Sequence, residues 1–504
     1  MKASRTLLFI LAIFFLLGVS WFVFPADGIA VGKTTLRFPS YAEDRMGSGP
    51  KLDVDSVLAN VSASFEMSVS ETLLDSLEFY RDYLTINPNR IHLPENDYTY
   101  FDSLFYLLEH AKENKKIYRV MHYGDSQIEM DRITSVLRQR MQEMFGGSGP
   151  NMISAVKRIS SISLTQSYSG NLIRYALVGD STSYKSSHNR YGVMTQFCQT
   201  SGTSTISFSK SKNSQAYDKA REISTVSILI GNNSEGFKAS LKANPFEGDT
   251  KVCAAKSGPS LLTWELPGNV DKGTITLQGT AEVYAVMLDG DYGVAVDNNA
   301  LRGCSGTIFT RINKALMETS FKLIDTRLII LQFGGNRMPM IYGTKNIVSY
   351  MEELDKQIKY FKEVAPQATL LFIGPADMGK SYNGKVTTWK GLPELNDSIK
   401  AMALRNDVAY WDMFHVMGGE GSMAEYVKHK PALGSPDHIH FTFLGAQEIG
   451  NNLAKSLIIY HDFYQLRQRL DDDATLMEFM NKDRELIEQE KETRKKEFKP
   501  TQYY

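Results

Sequence analysis

The apolar positions of this chain follow two different periods. Near Glu71–Tyr83 and again near Tyr98–Lys112 they recur at three- and four-residue steps, which predicts two amphipathic helices. The run Ile117–Tyr123 is short and rich in β-forming residues, and from Gln127 to Phe145 the pattern becomes helical again. A strand, a tight turn at Gly124 and a helix are typical of an α/β unit, in which reactive residues lie where the strand ends.

The middle of the chain, from about Ser161 to Leu288, has a different character. It is rich in Ser, Thr, Gly and Asn, and its apolar runs are short and separated by turn residues. This spacing predicts a β-sandwich inserted into the α/β domain. The runs that predict strands are STISFS (204–209), STVSILIG (224–231), FKASLK (237–242), GTITLQG (273–279) and EVYAVML (282–288).

After Asp289 the α/β pattern returns. Apolar runs that predict buried strands alternate with amphipathic stretches that predict helices. The predicted strands are 327–335, 368–375 and 407–413, and the predicted helices are 347–364, 395–405 and 445–460. The tail from about Asp471 to Lys496 predicts a charged, solvated helix, with partner binding as the alternative.

The first residues predict export. Lys2 and Arg5 precede an uncharged apolar stretch, Thr6–Phe24, which is nearly long enough to cross a hydrocarbon core of about 30 Å. We expect an uncleaved membrane anchor, and the alternative is a secretory signal cleaved near Gly28 and Ala30. The predicted organisation is an anchor or signal (1–25), a linker (26–65), an α/β domain in two parts (66–160 and 289–462), the inserted sandwich (161–288) and the charged tail (463–504).

Composition narrows the function classes. The 504 residues are 42% hydrophobic and 22% charged, which suits a folded protein of two or three units. The formal net charge of −1 offers no basic field for nucleic acid. Cys198, Cys253 and Cys304 match no metal-site spacing. In an exported protein Cys198 and Cys253 can pair, and free buried thiols are the equal alternative. No cofactor and no metal site is predicted.

The tripeptide Gly124-Asp125-Ser126 stands at the end of the first predicted strand. A serine hydroxyl is a weak nucleophile until a base removes its proton. At a strand-to-helix turn its Oγ is exposed, and backbone N–H groups lie nearby. Ser126 is therefore the candidate nucleophile, although Gly-Asp-Ser alone is common in turns.

Two further glycine-containing turns can supply hydrogen-bond donors. Asn336 follows Gly334-Gly335 at the end of a predicted strand, where its amide can point at a developing oxyanion. Gly306, in the segment Gly303–Thr307, permits close backbone approach and a donated N–H. Gly303 is the alternative donor in that segment.

The candidate base lies near the end of the chain, in Asp437-His438-Ile439-His440. Asp437 and His440 are three residues apart, so in one tight turn the carboxylate can accept the Nδ1–H of the imidazole. Nε2 is then left as the acceptor that faces the serine. His438 is expected to point elsewhere and is given no role.

In this order, Gly-Asp-Ser, Gly, Gly-x-Asn and Asp-x-x-His resemble the conserved blocks of the SGNH (GDSL-like) hydrolases. The resemblance runs from about Ile117 to Tyr460, apart from the inserted region. It implies a three-layer α/β/α fold with a parallel sheet. The roles that it implies are Ser126 as nucleophile, Asp437 and His440 as the other triad members, and Gly306 and Asn336 as oxyanion-hole donors.

Other segments resemble one branch of this family, the bacterial peptidoglycan and polysaccharide O-acetylesterases with an inserted, jelly-roll-like carbohydrate-binding sandwich. They are DGDYGVAVDNNALRGCSGTIF (289–309), FIGPADM (372–378), MGGEGSM (417–423) and SPDHIHFTFLG (435–445). The chain departs from the family at Arg337, where an Asp that is not a triad member is usual.

The resemblance implies an esterase that removes O-acetyl groups from a cell-envelope glycan, held at the membrane by its N-terminal segment. One alternative is a glycan O-acetyltransferase that uses the same triad beside a membrane acyl-donor partner. The other is a non-catalytic glycan-binding protein. Trp264 and Tyr284 are candidate sugar-stacking residues, although aromatic residues at such positions more often belong to a core.

Overall fold

The computed structural model describes residues 29–31, 34–36, 73–157, 159–179, 184–470, 476–477 and 480. A first compact unit, residues 1–53, contains a two-stranded antiparallel hairpin inside the predicted linker, and a second unit, residues 54–504, contains the remaining elements. The strands are β1 (Ile29–Val31), β2 (Thr34–Leu36), β3 (Ile91–His92), β4 (Ile117–Gly124), β5 (Asn151–Ile153), β6 (Leu164–Ala176), β7 (Gln196–Lys210), β8 (Thr225–Gly231), β9 (Phe237–Asn244), β10 (Phe246–Cys253), β11 (Ser260–Glu265), β12 (Lys272–Gly279), β13 (Ala281–Asp289), β14 (Gly293–Ala300), β15 (Thr326–Gln332), β16 (Thr369–Ile373), β17 (Gly379–Tyr382), β18 (Lys385–Thr388) and β19 (Ala409–Trp411). The helices are α1 (Leu73–Ile86), α2 (Asp102–Glu109), α3 (Thr134–Phe145), α4 (Lys314–Leu323), α5 (Thr344–Val364), α6 (Leu392–Arg405), α7 (Met413–Val416), α8 (Ser422–Lys428) and α9 (Phe443–Arg469).

A six-stranded sheet forms the centre of the α/β domain, in the order β14-β4-β15-β16-β19-β3. Strands β14, β4, β15, β16 and β19 are parallel, and β3 pairs antiparallel with β19 at one edge. Helices α3 and α9 pack together, and α5 packs against α4 and α6. The predicted α/β fold is confirmed, with an antiparallel edge strand that the sequence pattern did not indicate because β3 is only two residues long.

The helix predicted to begin at Gln127 begins at Thr134. Residues Ser126–Asp131 form an irregular 3₁₀ segment, because Glu129 is extended and Met130 has a positive φ of 59°. The guanidinium of Arg132 stabilises this turn by donating to the carbonyl oxygens of Glu129 at 3.1 Å and Ser126 at 2.9 Å. The apolar pattern of the sequence gives no sign of these hydrogen bonds between the Arg132 side chain and the backbone.

A nine-stranded antiparallel sheet accounts for the β-rich middle region. Its order is β10-β9-β12-β7-β13-β8-β11, with β5 beside β13 and β6 beside β7. The two end strands meet, since the indole of Trp264 on β11 donates to the carbonyl oxygen of Asp249 on β10 at 2.7 Å. The sheet thus curls around its own apolar core. Because β5 begins at Asn151, the sheet starts before the predicted boundary at residue 161.

A buried ion cluster lies where the antiparallel sheet meets the parallel one. The guanidinium of Arg119 on β4 contacts the carboxylate of Asp289 at the end of β13 and that of Asp297 on β14, the latter at 3.0 Å. Burial raises the pKa of Asp297, although Arg119 acts against it. Removing one member of such a cluster leaves an uncompensated buried charge, which costs about 3–5 kcal/mol.

The predicted membrane anchor, Thr6–Phe24, lies outside the described residues, as does most of the charged tail, 471–496. Among the helices that the structure describes, none is long and apolar enough to cross a bilayer. The anchor and the charged helix stay predictions.

The cysteines and the two candidate stacking residues have definite places. Cys198, Cys253 and Cys304 are free thiols, so the alternative of a Cys198–Cys253 disulfide is not what the structure adopts. Trp264 and Tyr284 are both buried, with 2% and 1% of their surface exposed. Neither residue offers a face for stacking on a sugar.

Candidate active site

The parallel sheet aligns the candidate residues at one edge. Its register places Gly124, the last residue of β4, opposite Ala300 of β14 and Gln332 of β15. Ser126 and Asn336 follow within a few residues of these strand ends. Carboxyl ends of parallel strands meet at the same edge of a sheet, where α/β enzymes bind their ligands.

Ser126, His440 and Asp437 form a hydrogen-bonded triad. The Oγ of Ser126 lies 2.8 Å from Nε2 of His440, and Nδ1 of His440 lies 2.7 Å from Oδ2 of Asp437. Because the carboxylate accepts the Nδ1 proton, Nε2 is the acceptor for the serine hydroxyl. The structure brings together the three residues that the sequence analysis selected, 314 positions apart in the case of Ser126 and His440.

Asp437 is suited to stay ionised. Partial burial raises the pKa of its carboxyl, but hydrogen bonds from the backbone and side chain of His440 and from the Ile439 N–H outweigh burial and bring the pKa below its ordinary value. The backbone bonds are 3.0 Å and 2.9 Å long. A carboxylate fixed in this way holds the imidazole in one tautomer and stabilises the imidazolium that forms during proton transfer.

Asn336 lines the same cavity as Ser126 and is tied to the nucleophile's own turn. Its Nδ2 donates to Oδ2 of Asp125 at 3.0 Å and to the carbonyl oxygen of Cys304 at 3.3 Å. The other carboxylate oxygen of Asp125 accepts the N–H of Gln127 at 2.9 Å. Asp125 therefore fixes both the turn that carries Ser126 and the amide that the sequence proposes as an oxyanion donor.

Asp125 is buried, and its burial shifts the pKa of the carboxyl group. Burial raises the pKa of its carboxyl to about 6, although the Gln127 N–H, the nearby His440 and the Asn336 amide act against burial. Near neutral pH the carboxylate form is still dominant, and it accepts the two hydrogen bonds just described.

Gly306 does not fill the role that the sequence resemblance gave it. It is buried with a φ of +81°, its N–H donates to Sγ of Cys304 at 3.3 Å, and a Cβ there would meet the ring of Phe333. The cavity is lined by Gly303, which is exposed and precedes Cys304 in the same turn. The glycine is therefore needed at 306 for packing, and Gly303 takes its place as the candidate donor.

Gln127 and Arg132 are two functional residues that sequence reasoning missed. Nε2 of Gln127 donates to the carbonyl oxygen of Ile439 at 2.7 Å, and Nη1 of Arg132 donates to that of Phe441 at 2.9 Å. Both side chains thereby hold the loop that contains His440 against the turn that carries Ser126. No sequence signal identifies them, because their partners lie more than 300 positions away along the chain.

The triad opens into a cavity of about 600 Å³, here called the catalytic cavity. Its walls come from the ends of several strands and combine polar groups with apolar side chains. Among its lining residues are Ser126, Gly303, Asn336, Pro375, Met378, Trp389, Met413 and His440. A serine activated by a His–Asp pair, at the carboxyl edge of a parallel sheet, defines an α/β serine hydrolase.

Comparison with known proteins agrees with this class. Residues 269–447 match the GDSL-like lipase/acylhydrolase family, a range that includes Asn336, Asp437 and His440 and begins after Ser126. The chain resembles the SGNH (GDSL-like) hydrolases over this range, and the match supports a carboxylic ester hydrolase. No curated protein matches it.

Of two solved structures, the first supplies the likeness in fold. A peptidoglycan O-acetylesterase is 18% identical with a TM-score of 0.58, and the alignment covers 73% of this chain and 96% of the esterase. A family two carbohydrate esterase from Cellvibrio japonicus is 9% identical with a TM-score of 0.23. The alignment covers 60% of this chain and 99% of that esterase.

Proposed function

We propose that this protein is a serine esterase that removes O-acetyl groups from a cell-envelope glycan through an acyl-enzyme on Ser126. The observation that carries the proposal is the 2.8 Å contact between Ser126 Oγ and Nε2 of His440, with Asp437 behind the imidazole. A vestigial, non-catalytic site would have no need to keep His440 in reach of the serine. This geometry favours catalysis over a purely glycan-binding role.

The reaction follows from the positions of the groups. His440 accepts the proton of Ser126 as Oγ attacks the acetyl carbonyl. The N–H groups of Ser126 and Gly303 stabilise the oxyanion, together with the Asn336 amide once it releases its 3.3 Å hydrogen bond to the Cys304 carbonyl oxygen. The imidazolium then protonates the departing sugar oxygen. Water, deprotonated by His440, attacks the acetyl-enzyme, and the imidazolium returns that proton to Oγ of Ser126 as the ester bond breaks and acetate leaves.

The proposed substrate class rests on the resemblance in sequence and fold. The solved structure with the higher TM-score quoted above is that of a peptidoglycan O-acetylesterase. The N-terminal stretch 6–24 adds the proposal that the enzyme is exported and tethered at the membrane.

The test uses the full-length purified protein and its Ser126→Ala variant. We expect the wild type to release acetate from O-acetylated peptidoglycan and to hydrolyse an aryl acetate, and the variant to do neither above background. Unchanged aryl acetate turnover in Ser126→Ala would overturn the nucleophile. Mass spectrometry of an added unacetylated glycan distinguishes the transferase alternative, because acetyl groups would appear on that glycan instead of in solution.

A further inference from the structure

A second cavity, of about 150 Å³, lies beside the catalytic cavity. One side is formed by the end of β14, including Asn298 and Asn299, and the other by the antiparallel sheet, including Arg174 on β6 and Gln196 on β7. The second cavity is therefore built jointly by the α/β domain and the β-rich region. None of the triad residues lines it.

The two cavities share a wall. Glu129 and Met130 line both, and they belong to the short segment that begins at Ser126. Met130 is 47% exposed and its backbone has a positive φ of 59°, a conformation that non-glycine residues adopt rarely and often at ligand sites. Four residues of chain span at most about 14 Å, so the shared wall lies within that distance of the nucleophile.

Asn299 supplies an independent sign that a ligand belongs in the second cavity. Its side chain is 97% buried, since 3% of its surface is exposed, and it lines this cavity. Neither Oδ1 nor Nδ2 has a hydrogen-bond partner in the described part of the chain. Its neighbour Asn298, by contrast, donates to Thr134 at 2.7 Å and to the carbonyl oxygen of Ile128 at 2.9 Å. Buried amides are almost always satisfied, so an unsatisfied one needs a reason.

The remaining polar groups of the second cavity suit a neutral, hydroxylated ligand. The two carboxylates contact cations, Asp131 with Arg138 at 2.6 Å and Glu129 with Arg302. Of the other cations in the wall, Arg174 donates to Oε1 of Gln196 and Lys157 is exposed to solvent. Ser160 and Ser161 add hydroxyl groups to the wall. Hydroxyl and amide groups that both donate and accept are the usual partners of sugar hydroxyl and acetamido groups.

We propose that the second cavity binds a sugar residue next to the acetylated one in the same glycan chain. The glycan would cross the wall formed by Glu129 and Met130. Its ester would lie at Ser126, and a hydroxyl or acetamido group of the next sugar would lie at the carboxamide of Asn299. This subsite rests on the proposed function. It predicts that the enzyme prefers acetyl groups on an oligosaccharide to those on a small ester.

The experiment compares kcat/KM for an O-acetylated glycan oligomer with kcat/KM for an aryl acetate. Asn299→Leu keeps the size of the side chain and removes its hydrogen-bonding atoms. We expect the ratio of the two kcat/KM values to fall about tenfold, as for the loss of one or two hydrogen bonds to an uncharged group. A structural role would instead lower both values together, and would lower Tm.

Ser160→Trp tests the same subsite by filling it, and Ser167→Trp is its matched control. Ser167 is exposed on β6 and lines a different, shallow surface depression. We expect Ser160→Trp to lower the same ratio and Ser167→Trp to leave it as in the wild type. An unaltered ratio in both Asn299→Leu and Ser160→Trp overturns the subsite alone. If the wild type releases no acetate from any glycan, the proposed function fails and the subsite with it.

Discussion

The carboxamide of Gln127, the residue after the nucleophile, donates from Nε2 to the carbonyl oxygen of Ile439, the residue before the catalytic histidine, at 2.7 Å. Oε1 of the same side chain faces the N–H of Phe441 at 3.4 Å. One buried glutamine thus holds both neighbours of His440. The alignment of base and nucleophile depends on this bridge between two segments that are distant in sequence.

Replacing Gln127 with Leu should therefore lower kcat by about tenfold to a hundredfold, because a misplacement of about 1 Å can cost a hundredfold in rate. The fold should survive, since one or two hydrogen bonds contribute only about 1–2 kcal/mol. Steady-state kinetics with an aryl acetate and urea unfolding measure the two effects.

The matched control for this variant is Gln142→Leu. Gln142 is also buried, and its Nε2 lies 3.3 Å from the carbonyl oxygen of Gly149, away from the triad. We expect its activity per folded molecule to equal that of the wild type. Equal losses of kcat in the two variants would contradict a positioning role for Gln127.

Asn336→Ala should lower kcat by about a hundred- to a thousandfold with little change in KM, because an oxyanion donor acts in the transition state. Asn336→Asp should be at least as impaired, since it would place a second carboxylate near the one of Asp125 that now accepts the amide at 3.0 Å. Steady-state kinetics with an aryl acetate decide the matter. A kcat within threefold of the wild type in Asn336→Ala would remove this residue from the oxyanion hole.

Asp125 predicts a pH-dependent stability difference. Its pKa in the folded state is about 6, above the unfolded value near 3.8, so ionisation disfavours the folded state. The proton bound to Asp125 stabilises the folded state below about pH 4, and this stabilisation is lost as the pH rises through 6. Asp125→Asn cannot ionise, so the stability of the variant relative to the wild type should rise between pH 4 and 7, by up to about 3 kcal/mol.

Urea unfolding of both proteins at several pH values measures this difference. Titrating groups that do not interact with Asp125 are common to the two proteins and cancel, and the hydrogen bonds that the variant loses add a constant offset. A difference that stays flat from pH 4 to 7 would mean that the Asp125 carboxyl titrates at its ordinary pKa.

The sequence by itself determined the α/β class, the β-rich middle region and the residues of the triad. Hydrophobic periodicity reports which face of each element is buried. Ser126 and Asn336 follow predicted strands and His440 precedes a predicted helix, and the order of these blocks along the chain, which resembles a known family, was what selected them. The start of α3 at Thr134 was beyond that signal, because the segment before it is held by hydrogen bonds that the Arg132 guanidinium donates to backbone carbonyl oxygens.

Only the tertiary structure decided how those residues work together. It placed Gly303 rather than Gly306 in the catalytic cavity, because Gly306 packs against Phe333 and its N–H is taken by Sγ of Cys304. It also made partners of Gln127 and Ile439, and within the part of the chain that the structure describes it left the buried amide of Asn299 without a partner. The physical reason is that contacts between distant segments exist only once the parallel sheet has brought its strand ends to one edge, and a local sequence pattern names no partner that far away along the chain.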